Sequence, residues 1–206
     1  MKLELLNTSV VVLAQQHNPT ILHPSFLRLQ DVVPADWEVA EDPISTPPFS
    51  VVKYANGLVF AVETNRFQVI DNGPPADPRE SRVADLARKY IRALPHVRYT
   101  AVGVNFSGFV ESAEPQKALC RRFLKRGPWN EKALTITGLG LRFSYPVSEG
   151  GLRVDCNSGT VRRGKDTEEK TGMIVNVNYH TDVAGGEPLA AAEKALSLYG
   201  ERCAHF

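Results

Sequence analysis

Residues 50–71 constrain the fold most. Ser50 to Ala55, Leu58 to Glu63 and Arg66 to Asp71 alternate apolar and polar side chains, separated only by Asn56-Gly57 and Thr64-Asn65. Period two places Leu58, Phe60 and Val62 on one face of a pleated strand. Turns this short join antiparallel neighbours, because a parallel connection needs a dozen residues or more. Asn56-Gly57 tolerates positive φ at both centres, so a type I′ turn is expected there. The segment predicts a three-strand antiparallel meander, which Asn72-Gly73-Pro74-Pro75 ends.

The remaining segments extend this pattern. Leu3, Leu5 and the run Val10 to Leu13 read as one strand or a pair. Residues 15–48 carry six prolines, yet Leu22, Phe26, Leu27, Val32, Val33 and Trp37 argue that this looping stretch packs down on the fold. Asp77-Pro78-Arg79-Glu80 has the form of a helix start, followed by the stripe Val83, Leu86, Ala87, Tyr90, Ile91, Leu94 and the stop Pro95. Val97 to Val110 predicts a long strand. Glu114-Pro115 opens a second helix, closed by Gly127-Pro128. In 132–145 the apolar phase changes from Leu134 and Ile136 to Leu139, Leu141 and Phe143, which predicts a β-bulge at Gly138. Leu152, Val154 and Cys156 mark one more strand, and Met173, Val175, Val177 and Tyr179 the last. Glu187-Pro188 opens a final helix expected to stop near Gly200. The fold class is therefore α+β: a single domain over residues 1–206, with a largely antiparallel sheet and about three helices (79–94, 115–126, 188–199) on one face. Each meander is followed by a helix, which suggests a strand-meander-plus-helix pseudo-repeat without matching sequence.

Composition excludes several classes. With 43% hydrophobic and 23% charged residues and a net charge of +1, the chain is neither disordered nor polyelectrolyte-like. No apolar run approaches the ~18 residues of a membrane span. The acidic start Met1-Lys2-Leu3-Glu4 does not suit a signal peptide, and Cys120, Cys156 and Cys203 form no Cys-x-x-Cys. Unpaired thiols in a reducing cytoplasm are expected. The balance of charge is uneven: residues 1–78 hold four basic and nine acidic side chains, residues 79–206 hold 20 and 14. The simplest expectation is that acidic front and basic back pack against each other within one chain; the alternatives are head-to-tail pairing between chains and a basic part that meets an anion.

The segments Asn18-Pro19, Pro24-Ser25-Phe26-Leu27, Pro34-Ala35-Asp36-Trp37, Asn56-Gly57 and Leu94 to Phe106 resemble a loose set of uncharacterised bacterial proteins over about residues 9–110. The resemblance implies a bacterial cytoplasmic protein and brings no catalytic residue with it.

Motifs that carry chemistry are few. Asn176, Asn178, His180 and Asp182 share one face of the last strand. His180 with Asp182 could orient a proton-transfer group, while the wet face of an antiparallel strand explains the same row. His17 and His23 sit on a proline-rich loop without a third ligand at a recognisable spacing, so no metal is expected. Ser107 lacks the glycines of a nucleophile elbow, Gly138-Leu139-Gly140 lacks the third glycine of a dinucleotide loop, and Gly164-Lys165-Asp166 is no Walker sequence; no cofactor is expected. Arg121, Arg122, Lys125 and Arg126 make the second helix basic enough to touch phosphates, but the sequence around them shows none of the aromatic interleaving of single-strand binders. Asp36, Glu38, Glu41 and Asp42 read as a solvated loop. The function expected is a non-enzymatic binding or assembly module, most simply a homodimer. The alternatives are nucleic-acid binding through helix 115–126 and an enzyme using His180 and Asp182.

Overall fold

The centre of the molecule is a pair of long antiparallel strands, β1 (Glu4–Ala14) and β6 (Tyr99–Glu111). The computed structural model describes every residue except 1, 126, 131–135, 163–168 and 184–185. In front of the centre stand β2 (Ile44–Ser45), β3 (Phe49–Lys53), β4 (Leu58–Glu63) and β5 (Arg66–Asp71); behind it stand β7 (Gly140–Val147), β8 (Gly150–Arg162) and β9 (Glu169–Asp182). The nine-stranded sheet has the order β2-β3-β4-β5-β1-β6-β9-β8-β7, and every pairing is antiparallel. Each wing is thus a meander that folds back on its own long central strand.

The helices are α1 (Pro24–Leu29), α2 (Val83–Ala93), α3 (Pro115–Phe123), α4 (Pro188–Ser197) and α5 (Tyr199–His205). Their cover explains the burial pattern. Val10 and Val12 stand between Val69 and Phe67 of β5 and Val104 and Val102 of β6, and all six are buried. The α2 stripe Val83, Leu86, Ala87, Tyr90 and Ile91 is fully buried on them, each large side chain adding about 1.5–3 kcal/mol. Phe67 stacks on Tyr90 at 3.8 Å between ring centroids. α4 lies on β6 and α2, while α3 touches β8 and β9.

Four local expectations are corrected. The Asn56-Gly57 turn is not type I′. Its loop is three residues, Ala55 to Gly57; Gly57 has φ 87°, and Asn56 is not in the positive-φ region. Tyr54 N–H bonds Leu58 O at 2.9 Å, and the Asn56 side chain accepts from Leu58 N–H at 3.1 Å. This is the bulged three-residue hairpin. Second, Asp77 caps only a 3-10 turn at Pro78–Glu80. Tyr199 Oη donates to Pro78 O at 2.9 Å and Ser81 Oγ to Asp71 at 2.6 Å, holding that turn apart, and α2 starts at Val83. Third, no bulge forms at Gly138: residues 136–139 belong to no strand and β7 begins at Gly140, while Leu134 lies outside the described residues. Fourth, α4 ends at Ser197, close to the expected stop, but a further helix begins at Tyr199 and Gly200 does not end the helical chain. It sits inside α5, because burial of Tyr199 and Cys203 and the stacking of Phe206 on Phe106 at 4.7 Å anchor the chain beyond it.

Candidate functional site

All helices pack on one face, so strand alternation determines what the other face shows. Ser9 of β1 stands opposite Asn105 of β6, Asn105 opposite Asn178 of β9, and Asn178 opposite Arg153 of β8. Side chains link along this row. Gln68 Nε2 and Asn105 Nδ2 both donate to Ser9 Oγ at 3.3 Å, and Asn178 Nδ2 donates to Asn105 Oδ1 at 2.6 Å. One row on, Ser107 Oγ donates to Asn176 Oδ1 at 2.8 Å. Asp155 then takes Arg142 at 2.5 Å and Arg153 at 3.2 Å. A polar ladder therefore runs across the helix-free face from β5 to β7.

The predicted row Asn176, Asn178, His180 lies on this face, and His180 Nε2 is 3.0 Å from Asp182 Oδ1. Both side chains are exposed. His180 and Asn178 line a shallow depression with Ser144, Tyr145 and Arg153. The partners Ser9, Gln68, Asn105 and Asp155 were not singled out from the sequence, and Ser107 was weighed only as a nucleophile. Only the pairing of strands distant in the chain brings them together.

His17 behaves differently from the other histidines. It is buried between the rings of Phe67 and Tyr99. Nε2 lies 3.2 Å from Val12 O, a carbonyl that can only accept, so the ring proton sits on Nε2 and the buried Nδ1 has no partner. Burial holds its pKa below the ordinary imidazole value, the bond to Val12 opposing this in part. It lines a 780 Å³ cleft with Gln15, Asn18, Thr64, His96 and Arg98. His23 accepts from Ser25 N–H at 3.2 Å as the cap of α1, and His205 bonds Tyr179 Oη at 3.0 Å. Among the described residues no group of three or more His, Cys, Asp or Glu could hold a metal ion. All three cysteines are free thiols, and burial pushes that of Cys203 up to about 11. No helix among the described residues is long and apolar enough to cross a membrane.

The two outer edges of the sheet are the other candidate surfaces. At the front, residues 38–40 and β2 both bond to the outer side of β3: Ala55 N–H to Glu38 O at 3.0 Å, Ala40 N–H to Lys53 O at 2.8 Å, and Ile44 opposite Val51. Asp36, Glu38, Glu41 and Asp42 are exposed there, and Glu41 pairs with Lys53 at 2.7 Å. At the back, the Phe123 ring of α3 meets Phe143 of β7 at 5.7 Å, and Phe143 meets Tyr145 at 6.4 Å. Arg121, Arg122 and Lys125 are exposed beside them, and the Arg122 guanidinium lies 6.0 Å from the Phe123 ring centroid. Arg126 lies outside the described residues. Residues 1–78 and 79–206 pack against each other through β1 on β6 and α2 on β1 and β5, but among the described residues no ion pair joins the acids of residues 36–42 to the bases of α3. The two groups stand at opposite ends of the sheet.

No family model, curated protein or solved structure matches this chain.

Proposed function

We propose that this chain is a non-enzymatic binding and assembly module of the bacterial cytoplasm that acts as self-associated copies, in the simplest case a homodimer. The observation that carries this reading is where the large exposed apolar side chains stand. Ile44 (45% exposed) and Phe49 (38%) mark the front edge, and Phe123 (46%), Trp129 (52%) and Tyr145 (48%) belong to the back wing and its connection; Leu29 at the end of α1 and Leu3 before β1 are exposed away from both edges. Scattered single exposures are ordinary, but groups of them mark interaction sites. Both edges also end in strands whose outer hydrogen-bonding groups have no neighbouring strand among the described residues, the feature through which sheets join other chains. The test is sedimentation across a wide range of protein concentration. The expected result is a mass at least twice that of one chain. A monomer at high concentration defeats the reading.

A second reading is favoured by one observation. Arg122 over Phe123, with exposed Trp129 and Tyr145 in the same wing, supplies the bases-and-aromatics combination that stacks single-stranded nucleic acid, which the linear sequence did not display. Fluorescence anisotropy with a labelled oligonucleotide decides. Weak binding that vanishes as salt rises is expected. Tight binding at physiological salt, abolished by Arg121→Glu with Arg122→Glu, would replace the assembly reading.

A further inference from the structure

We infer that copies of this chain associate head to tail, the acidic front edge of one against the basic back edge of the next; this rests on the self-association proposed above and specifies its contact. Nine strands separate the two edges by eight steps, roughly 38 Å at about 4.8 Å per step, so a chain cannot satisfy one edge with its own other edge. Each edge carries charge left over after local pairing. Asp36, Glu38 and Asp42 make no ion pair among the described residues, and neither do Arg121, Arg122 and Lys125. At the front Asp42 stands two residues before Ile44, and at the back the Arg122 guanidinium lies 6.0 Å from the Phe123 ring centroid. Each edge therefore offers an apolar centre with a charged rim, the anatomy of a protein interface.

The sign of the rims selects the geometry. A two-fold contact of front on front would bring Glu38 and Asp42 toward their own copies, and back on back would do the same for Arg121 and Arg122. Like charges facing each other oppose such contacts, whereas front on back pairs opposite signs. Such a contact is heterologous, so it leaves one front and one back edge free. Assembly continues into a ring or a filament unless the rotation per copy closes it early. On this geometry a two-fold homodimer is not the end state.

The experiment uses two charge-reversed variants of the full chain: Glu38→Lys with Asp42→Lys at the front, and Arg121→Glu with Arg122→Glu at the back. All four positions are exposed, so near-unchanged circular dichroism and thermal midpoints are expected. The neutral pairs Glu38→Gln with Asp42→Asn and Arg121→Gln with Arg122→Gln serve if a reversed variant fails to fold. Wild-type association should weaken as salt rises. Each variant alone should associate at least tenfold more weakly, and an equimolar mixture of the two reversed variants should regain association, because the new basic front fits the new acidic back. If the neutral pairs are used, each should weaken association without rescue on mixing. A wild-type chain that stays monomeric overturns self-association itself. Wild-type association that no variant weakens, or reversed variants that fail to rescue each other, leaves self-association standing and overturns the head-to-tail contact.

Discussion

The two wings of the sheet are built alike and stabilised differently. In the front wing Val52, Phe60, Val62, Phe67 and Val69 are completely buried, with α2 over β5 and the 3-10 turn Pro19–Ile21 over β3. In the back wing β7 has no buried residue, and β8 has one, Leu152. Strand length does not explain this, since β8 and β9 are longer than any front strand. The cover does. α2 lies over β1 and β5 and α4 over β6, whereas the nine-residue α3 touches β8 and β9, and α5 meets β9 at Tyr179 through Arg202 and His205. The back wing is held instead by its ladder bonds and by cross-strand ion pairs such as Arg142–Asp155 and Arg162–Glu169, each worth at most about 1 kcal/mol when exposed. The back wing joins the core through Leu152, Val177 and Tyr179 and presents its outer strand β7 as surface.

The largest expected effect breaks the core side of this contrast. Phe67→Ala removes a buried ring stacked on Tyr90 and should cost about 3–5 kcal/mol, read as a fall in the urea midpoint. Phe143→Ala, with a half-buried ring in β7, should cost under about 1 kcal/mol. Equal losses from the two would show that the back wing is packed as tightly as the front.

A smaller effect is expected where α5 ties the front connection to the centre. Tyr199 Oη donates to Pro78 O at 2.9 Å and lies 3.3 Å from Thr8 Oγ1. Tyr199→Phe removes one bond from each, while Ser81 N–H still donates to Pro78 O and Thr8 Oγ1 still donates to Asn105 O, so it should cost about 1 kcal/mol. Increased hydrogen exchange at residues 78–83 would localise the loss; an unchanged pattern would place the bond outside the folded state's support.

His17 sharpens the comparison through pH, because it is a buried histidine of the front core. Burial depresses the His17 pKa below the ordinary 6.5, so below pH 6.5 the unfolded chain binds a proton that the folded chain resists. Its contribution is intact above 6.5 and is lost progressively as pH falls toward the depressed folded value. His17→Gln should flatten the stability slope as pH falls below 6.5. Urea titrations at a series of pH values test this.

Much of this contrast in burial was hidden from the sequence, although the elements were not. The alternation of Leu58, Phe60 and Val62 and the short turns around it determine an antiparallel meander locally, and the α2 stripe determines a helix. Where local signals failed, a distant contact had overruled them. Pro78 and Ser81 are held by Tyr199 and Asp71, and Gly200 is carried through by Phe206 on Phe106. The candidate surfaces divide the same way. The row Asn176 to Asp182 follows from period two within one strand, but its partners Ser9, Asn105 and Asp155 follow only from register across the sheet. Likewise the acidic and basic halves are visible in composition, while the placing of residues 36–42 and of the α3 bases at opposite ends of the sheet is a matter of strand order.

The smallest expected effect on stability sets two tyrosines against each other. Tyr54, just beyond β3, is buried between Trp37 at 5.3 Å and Phe60 at 5.9 Å. Tyr145 of β7 has one ring neighbour among the described residues, Phe143, and stands half in solvent. Tyr145→Ser removes little buried area and should change stability by no more than about 0.5 kcal/mol. Tyr54→Ser should cost several times more, because it empties a site enclosed by aromatic side chains. The two substitutions should reverse rank when self-association is measured. Tyr145 lies in the apolar centre of the back edge, so Tyr145→Ser should weaken association well beyond its effect on folding. A Tyr145→Ser chain that unfolds as readily as Tyr54→Ser would make β7 part of the core and remove the reason to regard its aromatic side chains as a surface for another copy.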